Sequence, residues 1–207
     1  MDSKDYVRFI HDLYEFNDEE PAFNVGHFSP KNQQEHGGYK PERKKRKLLV
    51  HILAFCIMPN HYHIMLSPQR EGGMTKFMRK LDIGYAKYFN QKYKRKGALF
   101  EARYKNILVE NDAQFIHLPY YIHLNPLDLV SPQWRERKIQ SSRKALEFLY
   151  TYRWSSFLDY VGRKNFPSVT QREQLLDFAG GEKEYERETK KWLKDITLRN
   201  IGGVLLE

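Results

Sequence analysis

The sequence predicts an α+β protein in which amphipathic helices cover an antiparallel sheet. Apolar residues recur at helical spacing over 5–16 and again over 74–93. Between these two segments, a nearly continuous apolar run occupies 48–57. A run of this kind is typical of a strand that is buried on both faces. The alternation of helical and strand patterns therefore favours a mixed fold built around one sheet.

The predicted elements follow the order helix, strand, strand, helix, strand, helix. A Pro-Asn turn over 58–60 separates the run 48–57 from a returning strand at 61–67, so these two strands form a hairpin. A third strand is predicted at 106–110, followed by a helix over 112–125. This order is most of a ferredoxin-like (RRM-like) unit, an antiparallel sheet with helices on one face.

One strand of that unit is apparently missing, because the chain begins with the helix at 5–16. The missing first strand would be central, and its loss would leave backbone groups unpaired. Either the start is truncated or another segment fills the gap, for which the apolar tail 204–206 is one candidate. We expect a domain over 1–130, with a loop and basic linker at 17–47. A helical C-terminal extension, whose role is open, follows at 131–207.

Composition favours a polyanionic partner. Lys and Arg number 35 against 26 Asp and Glu, which gives a net charge of +9. Nucleic acid is the first candidate and an anionic membrane surface the second. The single cysteine, Cys56, allows no disulfide within the chain and fits a reducing compartment. We find no signal-peptide pattern and no apolar run of roughly 18 residues, so we expect a cytoplasmic protein without a membrane partner.

Two histidines lie two residues apart where the second strand is predicted. Residues i and i+2 of a strand point to the same face, so His61 and His63 can converge on one metal ion. Tyr62 then points into the opposite layer. The alternative is a pair of surface histidines on an exposed face.

Tyr121 and Asn125 lie one helical turn apart and therefore share a face of their helix. A phenol with a pKa of about 10 is a weak nucleophile, so attack on a phosphate needs help from a metal. An amide oxygen is a hard ligand that suits Mg²⁺. Alternatively, Tyr121 is a core aromatic and Asn125 ends the helix before Pro126. Pro119 either interrupts this helix or begins it.

Several motifs together resemble one family. They are MPNHYHIML at 58–66, FNQKYKRKGALFEARYKNILVEND at 89–112 and YIHLNP at 121–126, with a weaker echo in YRWSSFLDYVG at 152–162. The segment 48–130 resembles the REP-associated tyrosine transposases. These belong to the single-tyrosine HUH transposases of the insertion-sequence-200 type, where U is a hydrophobic residue.

The resemblance implies that His61 and His63 bind a divalent metal, Mg²⁺ or Mn²⁺, with Asn125 as the third ligand. It implies that Tyr121 attacks single-stranded DNA, forming a 5′-phosphotyrosine link and releasing a 3′-hydroxyl. A second 3′-hydroxyl can then reverse the step and join a new end. Tyr120 is the competing nucleophile. Two further histidines are expected to be structural or to face DNA; they are His117 and His123.

The resemblance also implies a single-stranded DNA partner that carries a hairpin. Basic residues on helix 74–93 and just after it would hold phosphates. These are Lys76, Arg79, Lys80, Lys87, Lys92, Lys94, Arg95, Lys96, Arg103 and Lys105. Tyr93 and Tyr104 could stack on unpaired bases, whereas we favour a core position for Tyr85 and Tyr88.

Two alternatives stay open at this point. A non-catalytic DNA-binding relic of the same family would fit the missing strand and Pro119. A metal-dependent nuclease that uses water would leave Tyr121 with a structural role. The oligomeric state is also open, because both a homodimer and a monomer are compatible with the sequence.

Overall fold

A computed structural model describes residues 1–21, 45–136 and 138–194. The first part contains α1 (Ser3–Glu15), β1 (Val50–Ile57), β2 (Tyr62–Pro68), α2 (Gly73–Lys92) and α3 (Asp112–Leu124). Two 3₁₀ turns follow, Asn125–Leu129 and Pro132–Glu136. The last part contains α4 (Ser142–Thr151), α5 (Phe157–Tyr160), α6 (Glu173–Ala179) and α7 (Glu182–Lys194). The α+β class is confirmed, and so are the hairpin and the helices predicted around it.

Helix α1 begins with reciprocal hydrogen bonds between two aspartates. The Asp2 carboxylate accepts from the backbone N–H of Lys4 and of Asp5, and the Asp5 carboxylate accepts from the N–H of Asp2. Such a capping box satisfies donors that have no partner inside the first turn of a helix. The cap therefore fixes the start of α1 at Ser3, and the apolar side of the helix packs on the sheet.

The two strands pair antiparallel, and a bulge in β1 controls which side chains share a face. Ile52, Phe55 and Ile57 pack with α1 and α2, whereas Leu53, Ala54 and Cys56 pack with α3. The alternation is broken once, at the register shift between Ile52 and Ala54. A bulge adds one residue to a strand and so places two successive side chains on the same side. Helices thus cover both faces of the sheet rather than the single face that we expected.

The prediction of a third strand at 106–110 is wrong. In the described chain, these residues have no regular secondary structure, and the side chains of Ile107 and Leu108 are exposed. Branched residues favour a strand, but a strand exists only where a neighbouring backbone completes its hydrogen bonds. The sheet that the described residues form has two strands, β1 and β2.

The outer edge of β1 is covered by the C-terminal extension. The amide of Ile57 donates to Trp154 O at 2.9 Å, and the amide of Ser156 donates to Phe55 O at 3.0 Å. Further along the edge, the amide of Gln171 donates to Ile52 O at 2.9 Å. The gap expected beside β1 is therefore filled by residues of the extension, while 204–206 lie outside the described residues.

Asn17 completes the same edge at the start of β1. Its side-chain oxygen accepts from the amides of Leu49 and Val50, and its Nδ2 donates to Val50 O at 2.8 Å. One buried side chain thus satisfies three backbone groups that a neighbouring strand would otherwise satisfy.

The extension also shares a hydrophobic core with α3. Trp134, Leu149, Tyr160 and Tyr185 join the buried cluster that contains the apolar residues of α3. The helix that carries Tyr121 is therefore packed between the sheet and the extension. The domain boundary at residue 130 stays a prediction.

Candidate active site

The hairpin brings the two predicted metal ligands together. The amide of Met58 donates to His61 O at 2.8 Å and closes the turn, so His61 immediately precedes β2. His63 lies on β2, where it pairs with Cys56. The imidazole centroids of His61 and His63 are 4.9 Å apart, and the two rings are nearly perpendicular. This arrangement allows both rings to face one point.

One nitrogen in each imidazole is suited to ligation. His61 Nδ1 lies 2.8 Å from the side-chain oxygen of Asn60. That oxygen can only accept, so Nδ1 carries the proton and Nε2 keeps its lone pair. His63 Nε2 is buried and has no hydrogen-bond partner among the residues that the structure describes. A buried polar atom without a partner is costly unless something binds it.

The phenol predicted as nucleophile lies beside these histidines in the same chain. The ring centroids of Tyr121 and His63 are 6.1 Å apart, with the rings 80° from parallel. Tyr121 is 8 % exposed, and the Trp134 ring lies 6.0 Å from it. Asn125 follows one turn later, and its Nδ2 donates to Tyr121 O at 2.8 Å. The structure thus brings all four predicted residues to one place.

Pro119 lies inside α3 rather than at its beginning, and the helix is not interrupted there. The Asn111 side chain caps the helix by accepting from the amide of Gln114, and the helix continues past Pro119 to Leu124. Asn125 keeps right-handed helical angles, φ −50° and ψ −37°, although a proline follows it. Because the chain stays helical through this region, Tyr121 and Asn125 keep the same face.

No sequence pattern indicated a second pair of residues at this site, Arg135 and Asp128. Arg135, from the second 3₁₀ turn, donates from Nη2 to Asn125 Oδ1 at 2.8 Å, and the same Nη2 lies 3.5 Å from Tyr121 Oη. Its Nη1 forms an ion pair with Asp128. Arg135 lies in a charged segment without a recognisable motif, so only the tertiary contacts reveal it.

Both imidazoles are held in the neutral form that binds metals. The pKa of His63 is lowered to about 4, chiefly by burial and also by the charges of His61 and Arg135, while Asp128 and Asn125 oppose this. Burial also lowers the pKa of His61, which Asp128 raises and Arg135 lowers. Neutral rings at pH 7 have lone pairs available for a cation.

The donor atoms at this site fit a divalent cation. Two neutral imidazoles and the Asn125 amide oxygen form a nitrogen and oxygen set that suits hard or borderline metals. Asn125 Oδ1 already accepts from Arg135, but a carbonyl oxygen has a second lone pair. Within the described ranges, no cluster of three His, Cys, Asp or Glu side chains could hold a metal. The Asn125 amide oxygen is the candidate for a third protein ligand.

Tyr120, the competing nucleophile, lies on the opposite side of α3. Its ring stacks on Tyr185 at 4.3 Å and on Trp192 at 5.5 Å, with an interplanar angle of 9° in each case. Burial raises its pKa above the usual value for a phenol. These contacts give Tyr120 a structural position in the core.

The two further histidines of α3 also lie on its extension side. His123 is buried, with Nδ1 2.7 Å from Tyr185 Oη and Nε2 2.7 Å from Ser156 Oγ. Burial lowers its pKa to about 3. The His117 ring lies 5.2 Å from Trp192. Both histidines therefore contact the extension rather than the His61 and His63 pair.

The structure divides the predicted DNA-binding cations into two groups. Lys80 donates to the carbonyl groups of Asp18 and Glu20, and Lys92 forms ion pairs with Asp2 and Asp5. The other side chains are exposed: Lys76, Arg79, Lys87, Lys94, Arg95, Lys96, Arg103 and Lys105.

The four tyrosines considered for base stacking also differ. Tyr85 is buried against Phe9, and Tyr88 donates its hydroxyl to Asp5. Tyr93 is 41 % exposed, although its hydroxyl also bonds Asp5, and Tyr104 is partly buried. The core position favoured for Tyr85 is confirmed, whereas Tyr88 is only partly buried and packs against the core.

A phenol, an amide and two neutral imidazoles at one point define the class of the site, a centre suited to metal-assisted attack on a phosphate ester. Residues 31–125 match the family model described as "Transposase IS200 like". This segment, slightly less than half of the chain, is therefore similar to the IS200-like transposases. No significant match was found among curated proteins or among solved structures.

The described helices do not include one that could span a bilayer, since none is both long enough and apolar enough.

Proposed function

We propose that this protein cleaves and rejoins single-stranded DNA through a covalent bond to Tyr121, as a REP-associated single-tyrosine HUH transposase. The observation that carries the proposal is the 6.1 Å separation between the rings of Tyr121 and His63 within one chain. Because His61 and Asn125 adjoin the same two rings, one chain supplies all four groups. A monomer is therefore sufficient for the chemistry.

The proposed step is a transesterification that conserves bonds and protons. A bond forms between Tyr121 Oη and the scissile phosphorus, and the bond from phosphorus to the 3′-oxygen breaks. The phenol loses its proton to solvent, and the departing oxygen gains one to become a 3′-hydroxyl. The product is a 5′-phosphotyrosine diester, and attack by another 3′-hydroxyl reverses the step.

His61, His63 and Asn125 would hold a divalent metal, Mg²⁺ or Mn²⁺. Such an ion, when bound, polarises a phosphodiester and offsets charge on its oxygens. The buried Nε2 of His63 supports this assignment because it otherwise lacks a partner in the described chain. Asn60 has a positioning role, since it fixes the proton of His61 on Nδ1.

Burial and packing determine how Tyr121 can act. The ring lies between His63 and Trp134, so few orientations of the phenol are open to it. Helix α3 is itself fixed between the sheet and the extension, which reduces the motion of the nucleophile relative to the imidazoles. Such restraint favours in-line attack, because less orientational freedom is lost on reaching the transition state.

The exposed basic residues of α2 and of the segment after it support a DNA-binding surface for the same function. Lys94, Arg95 and Lys96 form a continuous cationic run at the end of α2. Contacts of this type neutralise phosphates without reading bases, which fits a single strand next to a hairpin.

A covalent-adduct assay tests the proposal. The protein is incubated with Mn²⁺ and labelled single-stranded oligonucleotides that contain a hairpin and randomised flanks, and adducts are resolved on a denaturing gel. We expect an adduct with the wild-type protein and none with Tyr121→Phe. Tyr120→Phe is the matched control and should keep the adduct, because Tyr120 stacks in the core.

Other outcomes would replace the proposal with one of the alternatives. Strand cleavage that persists in Tyr121→Phe would indicate a nuclease that uses water. Binding without cleavage at any metal concentration would indicate an inactive DNA-binding relic. We also expect His61→Ala to abolish the adduct and to weaken Mn²⁺ binding, measured by electron paramagnetic resonance, while DNA binding is mostly retained. An equal loss of DNA binding would indicate a structural role for His61.

A further inference from the structure

Arg135 is the one charged side chain described here that contacts both Tyr121 and Asn125. Its Nη2 donates to Asn125 Oδ1 at 2.8 Å and lies 3.5 Å from Tyr121 Oη. The guanidinium carbon is 5.6 Å from the Tyr121 ring centroid and 4.8 Å from that of Trp134. Arg135 therefore lies against the atom that would attack the phosphate.

The orientation of Arg135 is fixed by its neighbours. Nη1 pairs with Asp128, and the Asp128 carboxylate also accepts from the indole N–H of Trp134. The carboxylate offsets the charge of the guanidinium, so the pair adds little net repulsion toward a cation at the histidines. Trp134 is fully buried, and this anchors the 3₁₀ turn from which Arg135 extends.

The N–H groups of Arg135 are not all engaged in hydrogen bonds within the described protein. Its side chain is 30 % exposed, so part of it is accessible from solvent. Its Nε is nevertheless buried and has no hydrogen-bond partner among the described residues. A guanidinium has five N–H donors, stays protonated at all working pH values and matches the geometry of phosphate oxygens.

We propose that Arg135 contacts the non-bridging oxygens of the scissile phosphate and stabilises their charge while Tyr121 attacks. This inference rests on the proposed function of Tyr121. Arg135 donates hydrogen bonds and transfers no proton, so the bond and proton balance of the step is unchanged. It lies outside residues 31–125, so the C-terminal extension would supply part of the catalytic centre.

Single-turnover kinetics test this role. With the oligonucleotides and Mn²⁺ of the adduct assay, we expect Arg135→Ala to lower the rate of adduct formation about 100-fold. Arg135→Lys should recover part of the rate, because it keeps the charge but loses the planar fork. Arg143→Ala is the matched control, since the Arg143 side chain is 87 % exposed and pairs with Glu147. It should leave the rate unchanged.

A modified phosphate distinguishes contact with DNA from a structural effect. Once the cleavage position is mapped with the wild-type protein, a methylphosphonate is placed there, which removes one charged oxygen. Binding is measured without metal in a Tyr121→Phe background. We expect the modification to weaken binding at least 5-fold when Arg135 is present and less than 2-fold in Arg135→Ala. Equal weakening in both proteins would overturn the proposal.

The outcomes separate this inference from the proposed function. Absence of any Tyr121-dependent adduct would contradict the function itself. A normal adduct with an unchanged rate in Arg135→Ala would contradict only the role of Arg135. If Arg135→Ala fails to fold, as judged by circular dichroism, Arg135→Lys decides. If Arg135→Lys keeps the wild-type rate and the wild-type sensitivity to the methylphosphonate, a contact through the planar guanidinium is overturned. If both the rate and the sensitivity fall, that contact is supported.

Discussion

The Nε2 atom of His123 lies 2.7 Å from the Oγ atom of Ser156, and both residues are fully buried. The same hydroxyl also bonds the backbone N–H of Phe55 at 2.9 Å and lies 3.2 Å from its carbonyl oxygen. One side chain of the extension thus links α3, which carries Tyr121, to the strand opposite His63. The link therefore helps to fix Tyr121 relative to the two imidazoles.

Ser156→Ala should therefore destabilise the protein. It removes the hydroxyl and leaves polar groups of His123 and Phe55 buried without partners, at a cost of about 2–4 kcal/mol. Urea unfolding followed by circular dichroism measures the change. Ser168→Ala, at an exposed position, is the control and should have little effect. A change below about 0.5 kcal/mol in Ser156→Ala would show that the link contributes little.

Asn17→Ala should destabilise the start of β1. The substitution removes three buried hydrogen bonds to Leu49 and Val50, at a cost of about 2–4 kcal/mol. Thermal unfolding measures this loss. The exposed Asn106→Ala is a suitable comparison. Equal melting temperatures for the two variants would argue against the role of Asn17 as a substitute for strand pairing.

Asp5 should make stability depend on pH in the acid range. Burial alone would raise its pKa, but hydrogen bonds from Lys92, Tyr93 and the Asp2 amide lower the pKa to about 2 from 3.8. The unfolded chain therefore binds this proton more readily than the folded chain does. The stabilisation is complete above about pH 4 and is lost as the pH falls toward about 2.

Comparison of Asp5→Asn with the wild-type protein isolates this effect. We expect the wild-type protein to lose about 1 kcal/mol more than the variant between pH 4 and 2, after allowance for solvent screening of the partly exposed Lys92. Urea titrations at several pH values supply the data. Asp177→Asn, at an exposed position, should retain the wild-type pH dependence. Parallel curves for Asp5→Asn and wild type would refute the assignment.

The cationic run after α2 should control the salt dependence of DNA binding. Replacement of Lys94, Arg95 and Lys96 by alanine removes up to three phosphate contacts. The slope of log K against log salt should then fall in magnitude by roughly 2, at about 0.7 per contact on a single strand. Fluorescence anisotropy at several salt concentrations measures the slope. The control is a second triple variant with the same change in charge. It replaces three exposed lysines of the extension by alanine, Lys144, Lys164 and Lys183. Equal slopes in the two triple variants would place the DNA elsewhere.

Lys92 illustrates what a charge pattern alone does not reveal. The sequence places it among the basic residues of α2, but in the folded chain it forms ion pairs with Asp2 and Asp5. Those partners lie far away in the sequence, so no local pattern identifies them. Arg135 is the converse case, because it has no motif around it yet contacts Tyr121 and Asn125.

Local periodicity by itself determined much of this protein. The helices, the hairpin and the shared face of His61 and His63 follow from hydrophobic spacing and from the two-residue repeat of a strand. The one-turn spacing of Tyr121 and Asn125 was readable in the same way, because a helix places i and i+4 together. These features depend on neighbours within a few residues.

Only the tertiary structure decided how the edge of β1 is completed and which side of α3 faces the imidazoles. Residues 154–156 and Gln171 satisfy backbone groups of β1 over separations of about a hundred residues, and no sequence pattern encodes such pairings. The residues at 106–110 favour a strand but form none, because residue preference does not provide a neighbouring strand with which to pair. Hydrogen bonds between distant segments form only once the chain has folded, and for that reason the sequence could not reveal them.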